Sequence, residues 1–276
     1  MKICRIIFST NRLEFLIPTL ESHKINLDMS NHEVHSILID DYPKDRDDDV
    51  IKKIANAYGI NDVVLHKENV GITETWNEAW DIVKDIDCDY IWHHEDDVHF
   101  KQKVNIDVLW SLLNDNKEKY CQVVLKRNPW YDFEYSWPLF YNTDFSHDEY
   151  LAQVHDEWFW SLASLYPKWA TSLPIREAMN TNLCEGSIMK YIKEKLDMKA
   201  IILKNKDGSN IVEHIGLYFK GIRASKIDPH WKTFNYMDPD VKYDSRTGSI
   251  WQQPENWKQI EDQIQKVLTD LDIKIA

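Results

Sequence analysis

The sequence predicts an α/β protein with a parallel sheet covered by helices on both faces. Two observations carry that reading. Over the first hundred residues, short β-branched apolar runs alternate with apolar residues at helical spacing. Acidic residues then follow the ends of two of those runs, and sheets of this class bind ligands beyond the carboxyl ends of their strands.

Ile3 to Phe8 reads as a buried strand, and Ser9, Thr10 and Asn11 offer N-cap chemistry for the helix marked by Leu13, Leu16, Ile17 and Leu20. Val34 to Ile39 is a second strand, closed by Asp40-Asp41-Tyr42-Pro43, and Ile51, Ile54, Ala55 and Tyr58 mark a second helix. Asp62 to Leu65 is a short third strand. Asn69-Val70-Gly71 forms a turn before a helix carrying Ile72, Trp76, Ala79, Trp80 and Val83. Tyr90 to His93 is a fourth strand and runs into Glu95-Asp96-Asp97. Later, Val104 to Leu112 suggests a helix, Tyr120 to Leu125 a strand, Leu183 to Ile192 a helix and Ala200 to Leu203 a strand. Residues 215–250 read as an extended loop, and Trp257, Ile260, Ile264, Val267 and Leu271 form the apolar stripe of a final helix. With no repeat or linker, 1–276 reads as one domain, with an N-terminal half 1–100, a second half 101–215 and a C-terminal loop and helix 216–276.

Composition excludes several classes. The chain has 276 residues, 43% hydrophobic and 29% charged, and a net charge of −13, opposite in sign to a general nucleic-acid binder. Seven glycines form neither a Rossmann fingerprint nor a P-loop. Cys4, Cys88, Cys121 and Cys184 make no C-x-x-C pair and read as buried reduced thiols. No signal peptide is evident, and no apolar run approaches the roughly 18 residues that span a bilayer. A soluble cytoplasmic protein is expected.

The strongest chemical signal is Trp92-His93-His94-Glu95-Asp96-Asp97-Val98-His99. Carboxylates at a strand end offer hard oxygen ligands for Mg²⁺ or Mn²⁺. A solvated acidic turn accounts for the same residues equally well. A zinc site from His93, His94 and His99 is disfavoured because neighbouring residues of a strand point to opposite faces.

In order along the chain, Ser9-Thr10-Asn11-Arg12, Ile39-Asp40-Asp41, Asn69-Val70-Gly71, Trp76-Asn77 and Glu95-Asp96-Asp97 resemble the motifs of family 2 glycosyltransferases of the GT-A fold, the last as an EDD variant of the D-x-D motif. The resemblance spans roughly residues 3–100. It implies a mostly parallel central sheet flanked by helices, with a C-terminal elaboration. The EDD variant and the segment Trp158 to Trp169, ending in Pro-Lys-Trp, also resemble the N-acetylglucosaminyltransferases of N-glycan branching. One departure is Trp76, where many family 2 members carry Arg.

The resemblance implies a metal-dependent transfer of sugar from a nucleotide-sugar donor, UDP-linked, to an acceptor hydroxyl with inversion. It assigns Thr10, Arg12, Asp40, Asp41, Asn69, Gly71, Asn77, Glu95, Asp96 and Arg223 to the nucleotide sugar, and Asp97, Glu95 and His214 to Mn²⁺ or Mg²⁺. An inverting enzyme needs a base for the weakly nucleophilic hydroxyl. Glu185 is the first candidate, Asp156 and Glu157 the second. Glu185 is equally accounted for as a helix-start acid that suits the dipole, and His214 as a structural histidine. Lys220, Arg223 and Lys226 suit a cationic lid over the diphosphate, or solvated surface. Tyr131, Phe133, Tyr135 and Trp137 alternate and offer a platform for a sugar ring. The acceptor is a glycan or another hydroxyl compound, a modified nucleic-acid base being disfavoured by charge. Two other functions stay open at this level, a nucleotidyltransferase-like enzyme and a non-catalytic carbohydrate-binding protein.

Overall fold

The computed structural model describes residues 1–128, 141–142, 145, 147–155, 162–173, 184–215, 243–244, 249–250 and 257–274. The strands are β1 (Lys2–Ser9), β2 (Leu27–Asp28), β3 (Glu33–Asp40), β4 (Asp62–Leu65), β5 (Tyr90–Glu95), β6 (Val98–Phe100), β7 (Val104–Asn105), β8 (Tyr120–Leu125), β9 (Arg127–Asn128), β10 (Tyr141–Asn142), β11 (Tyr150–His155), β12 (Ser164–Pro167), β13 (Lys199–Asn205), β14 (Val212–His214), β15 (Tyr243–Asp244) and β16 (Ser249–Ile250). The helices are α1 (Leu13–Asn26), α2 (Asp48–Ala57), α3 (Ile72–Asp85), α4 (Ile106–Asn114), α5 (Cys184–Leu196) and α6 (Trp257–Asp270), with a 3₁₀ turn at Lys168–Ser172. No helix among the described residues is long and apolar enough to cross a membrane.

The main sheet has nine strands in the order β10-β11-β13-β8-β12-β5-β1-β3-β4. All but β11 and β12 run one way. β12 lies antiparallel between β5 and β8, and β11 antiparallel to β13. The parallel sheet expected from strand–helix alternation is therefore mostly parallel. Alternation gave no sign of β12, because Ser-Leu-Tyr-Pro is too short to show a period.

Central strand β1 shows why a continuous apolar run is needed. Ile6 and Phe8 enter the core under α3 with Trp76, Trp80 and Val83, whereas Ile7 enters the core under α1 with Leu16, Ile17 and Leu20. Successive residues of a strand point to opposite faces, so a strand buried on both faces must be apolar throughout. Ile260, Ile264 and Leu268 of α6 close the α1 side, and Ile188, Met189 and Ile192 of α5 close the α3 side. A third core gathers Leu109, Leu112 and Leu113 of α4 against β8 and β13.

Local signals were partly redirected. Ser9 ends β1, and α1 starts after Arg12 without a side-chain cap. The Ser9 hydroxyl and the Thr10 N–H are spent on Asp96 instead. α2 is capped by Asp47, which accepts from the N–H groups of Asp49 and Val50. The helix expected from Val104 begins at Ile106 under an Asn105 cap, and Val104 pairs with Leu27 in a short ladder. Within the predicted 215–250 loop, Tyr243–Asp244 and Ser249–Ile250 form a small antiparallel ladder. Cys4, Cys88 and Cys121 are buried free thiols. The Cys184 side chain and the aromatic segment from Tyr131 to Trp137 lie outside the described residues.

The register of β1 positions the site. Ser9 lies opposite Asp40 on β3, and Phe8 opposite Glu95 on β5. The acids after β3 and after β5 are thereby brought to one edge of the sheet. Behind that edge, fully buried Trp76 packs edge-on against Phe8, His93 and Trp80, with ring centroids 6.1, 4.9 and 6.1 Å away. Replacing Trp76 by Ala should cost about 3–5 kcal/mol of unfolding free energy, as large-to-small core changes do. Urea denaturation measures this, and a loss well under about 1 kcal/mol would show that Trp76 does not anchor α3.

Candidate active site

Five acids crowd the strand ends, and four of them are buried: Asp40, Asp41, Asp96 and Asp97. Buried carboxylates need hydrogen bonds and counter-charges, and each finds them. Asp40 accepts from Asn11 N at 2.6 Å, from Tyr42 N at 3.1 Å and from Arg46 at 2.9 Å. Asp41 accepts from Val70 N at 2.8 Å and Gly71 N at 2.7 Å, and lies 2.6 Å from His66 Nδ1. Gly71 has φ +82° as the N-cap of α3, a conformation in which a side chain would be strained.

Asp96 points inward. It takes a two-pronged contact from Arg12, with further donors in Ser9 Oγ at 3.1 Å and Thr10 N at 3.2 Å. The hydroxyl of Thr19 on α1 donates to its carbonyl at 2.7 Å and fixes the bend after β5. Burial pushes Asp96 up to about 6, against the pull of Arg12.

Asp97 shares Arg12 with Asp96 and also meets His214. Burial would raise its pKa, but His214 and Arg12 hold it below the ordinary carboxylate range. Arg12 lies 3.1 Å from Asp97 Oδ2. His214 Nε2 lies 3.1 Å from Oδ1.

His214 arrives from far along the chain. β14 pairs antiparallel with β6, setting His214 opposite Val98, and Ile215 N donates to the Asp97 carbonyl at 2.8 Å. Glu95, Asp97 and His214 then offer ligand atoms all within 4.8 Å of one another. Two carboxylates and an imidazole are ligand types that suit Mn²⁺ or Mg²⁺. Asp97 Oδ1 and His214 Nε2 lie 3.1 Å apart, which puts a carboxylate and an imidazole donor side by side.

The matching family model is described as Glycosyl transferase family 2 and covers residues 4–170. The chain belongs to glycosyl transferase family 2. Among solved structures, this family 2 chain resembles GalNAc-T7 with UDP, GalNAc and Mn²⁺, at TM-score 0.53 and 10% identity, over 78% of this chain and 44% of that one. It is also similar to S. aureus TarS 1–349 in complex with UDP-GlcNAc, at TM-score 0.49 and 11% identity, over 77% of this chain and 58% of that one. A third likeness is the mannosyltransferase PcManGT from Pyrobaculum calidifontis with GDP-Man and Mn²⁺, at TM-score 0.39 and 13% identity, over 46% and 36%. The chain thus spans between about a third and three-fifths of the length of these structures. No curated protein matches the sequence.

The sequence-assigned residues fall into three groups. Thr10, Arg12, Asp40, Asp41, Gly71, Glu95, Asp96, Asp97 and His214 cluster at or beside the ends of β1, β3 and β5. Asn69 is exposed in the turn before α3, and Asn77 is buried in α3. Glu185 stands in the first turn of α5 and is not one of the three clustered ligands. Asp156, Glu157, Lys220, Arg223 and Lys226 lie outside the described residues. Sequence reasoning missed Arg46 and His66, the partners of Asp40 and Asp41. Neither sits in a motif; only folding brings them to the acids.

Arg12 serves two buried acids, so Arg12→Ala should destabilise the fold by about 3 kcal/mol, as breaking a buried ion pair does. Adding Asp96→Asn should restore a large part of that loss. Denaturation of both variants checks this, and an unchanged midpoint for Arg12→Ala would rule out the pairing.

Proposed function

We propose that the chain transfers a sugar from a nucleotide-sugar donor, UDP-linked, to an acceptor hydroxyl with inversion, using Mn²⁺ or Mg²⁺ held by Glu95, Asp97 and His214. The observation that carries this is the convergence of those three side chains at the strand ends of a family 2 chain. The solved likeness to GalNAc-T7, a complex with UDP and Mn²⁺, supports the donor and the metal.

The residues divide the work. A bound divalent ion supplies Lewis-acid charge against the diphosphate. Glu95 and Asp97 contribute the anionic ligands and His214 a neutral one. Arg12, paired with both Asp96 and Asp97, offsets the repulsion among the three neighbouring acids. Gly71 opens α3, whose first N–H groups favour negative charge at the diphosphate side. Departure of the nucleoside diphosphate builds negative charge, and groups fixed beforehand stabilise it without reorganising. Glu185 is the proposed base for the acceptor hydroxyl, with Asp156 and Glu157 next. Residues 1–100 would form the nucleotide-sugar-binding half, 101–215 the acceptor-side half and 216–276 a C-terminal loop and helix.

Calorimetry with UDP in Mn²⁺ tests the site. Asp97→Ala should remove metal-dependent binding while the circular dichroism spectrum is kept, and His214→Ala should weaken it by about tenfold or more. Retained affinity in both variants would refute the assignment. Glu185→Gln should lower turnover by about 100-fold or more with UDP affinity intact, in the range of a lost general base. Near-normal release of UDP from UDP-sugar and acceptor would eliminate Glu185 as the base.

A further inference from the structure

His66, just after β4, has no part in the reaction as described above. It is buried, with Nδ1 2.6 Å from Asp41 Oδ1 and Nε2 bonded to Glu78 Oε2 on α3. The same Asp41 carboxylate holds the N–H groups of Val70 and Gly71. One carboxylate–imidazole–carboxylate chain therefore ties the end of β3, the end of β4 and the start of α3 across the Asn69–Gly71 turn. A neutral imidazole has one N–H and one lone pair. It satisfies one carboxylate and turns its lone pair on the other. Both contacts are attractive only when both ring nitrogens carry protons.

We propose that His66 is a positioning residue: as imidazolium it clamps Asp41 to Glu78, fixes the Asn69–Gly71 turn and the α3 N-terminus against the donor diphosphate, and releases them on deprotonation. This rests on the donor site proposed above.

The groups facing His66 are consistent with that role. Asp41 reaches it from β3 and Glu78 from α3, whereas Arg46, engaged with Asp40, bonds the His66 carbonyl at 2.9 Å. The His66 N–H donates to the Asp40 carbonyl at 3.0 Å. Lys67 and Glu68, next in its own segment, are exposed. Burial favours the neutral ring, but the hydrogen bonds to Asp41 and Glu78 outweigh it and raise the His66 pKa. A histidine with a raised pKa holds its partners below that pKa and loses them as pH rises through it. Donor affinity should accordingly fall on the alkaline side.

The test combines imidazole NMR titration of His66 with UDP calorimetry in Mn²⁺ across that pH range, on wild type, His66→Gln and Glu78→Gln. His66 should titrate above the ordinary imidazole value, and wild-type UDP affinity should drop about tenfold through that titration, the effect of a lost charge-assisted hydrogen bond. His66→Gln should already bind UDP that much more weakly at low pH, without the pH step, and raise donor KM more than it lowers kcat. Glu78→Gln, altering a side chain that is 42% exposed, should lower the His66 titration and weaken UDP binding even if His66→Gln fails to fold. Titration of His66 at or below the ordinary value overturns the clamp, as does wild-type affinity and pH profile in Glu78→Gln; the donor site then still stands. Absence of UDP binding by wild type at every pH overturns both.

Discussion

Burying several carboxylates side by side at one sheet edge is the constraint on which the rest of this structure depends. The effective penalty for an unpaired buried ion is about several kcal/mol, so no fold could keep these acids without nearby cations. Arg12 is the centre of that solution. It enters between Asp96 and Asp97, pins the first inward with help from Ser9 and Thr10, and leaves the second turned toward His214. The three consecutive acids after β5 therefore do different things. Asp96 secures the bend, while Glu95 and Asp97 converge with His214.

The same logic repeats one strand over. Arg46 neutralises Asp40 and reaches the His66 carbonyl, and His66 bridges Asp41 and Glu78. These pairings make both acids structural ties between strand ends and loops. Asp40 and Asp41 hold the turn after β1 and the turn before α3, so the loops beyond these strand ends are fixed by main-chain hydrogen bonds to carboxylates. A site fixed in this way presents its groups without a large ordering cost on binding.

His214 shows how a remote segment completes such a site. Its strand is only three residues long, yet it pairs with β6 on one side and β9 on the other. The hydrogen bond from Ile215 N to the Asp97 carbonyl extends the ladder to the acid itself. The β6–β14 pairing, rather than side-chain packing, sets the distance between His214 and Asp97.

Much of the first hundred residues could be read directly from the sequence. Strands buried on both faces must be continuously apolar, amphipathic helices must show their stripe, and three adjacent acids between apolar segments need a purpose. Those local rules located β1, β3, β4, β5, α1, α2 and α3 and marked the strand-end acids. Local patterns also located α4, β8, α5, β13 and α6, whereas the tertiary structure alone decided the short strands and the pairings between side chains. Short antiparallel strands such as β12 and β14 carry too few residues to display a period, and ion pairs such as Asp40–Arg46 or Asp41–His66 join residues whose closeness arises from strand register and loop path. The sequence by itself determined which side chains carry charge near the sheet edge; only the folded chain decided which of those charges pair with each other, because electrostatic pairing depends on distances that no local pattern encodes.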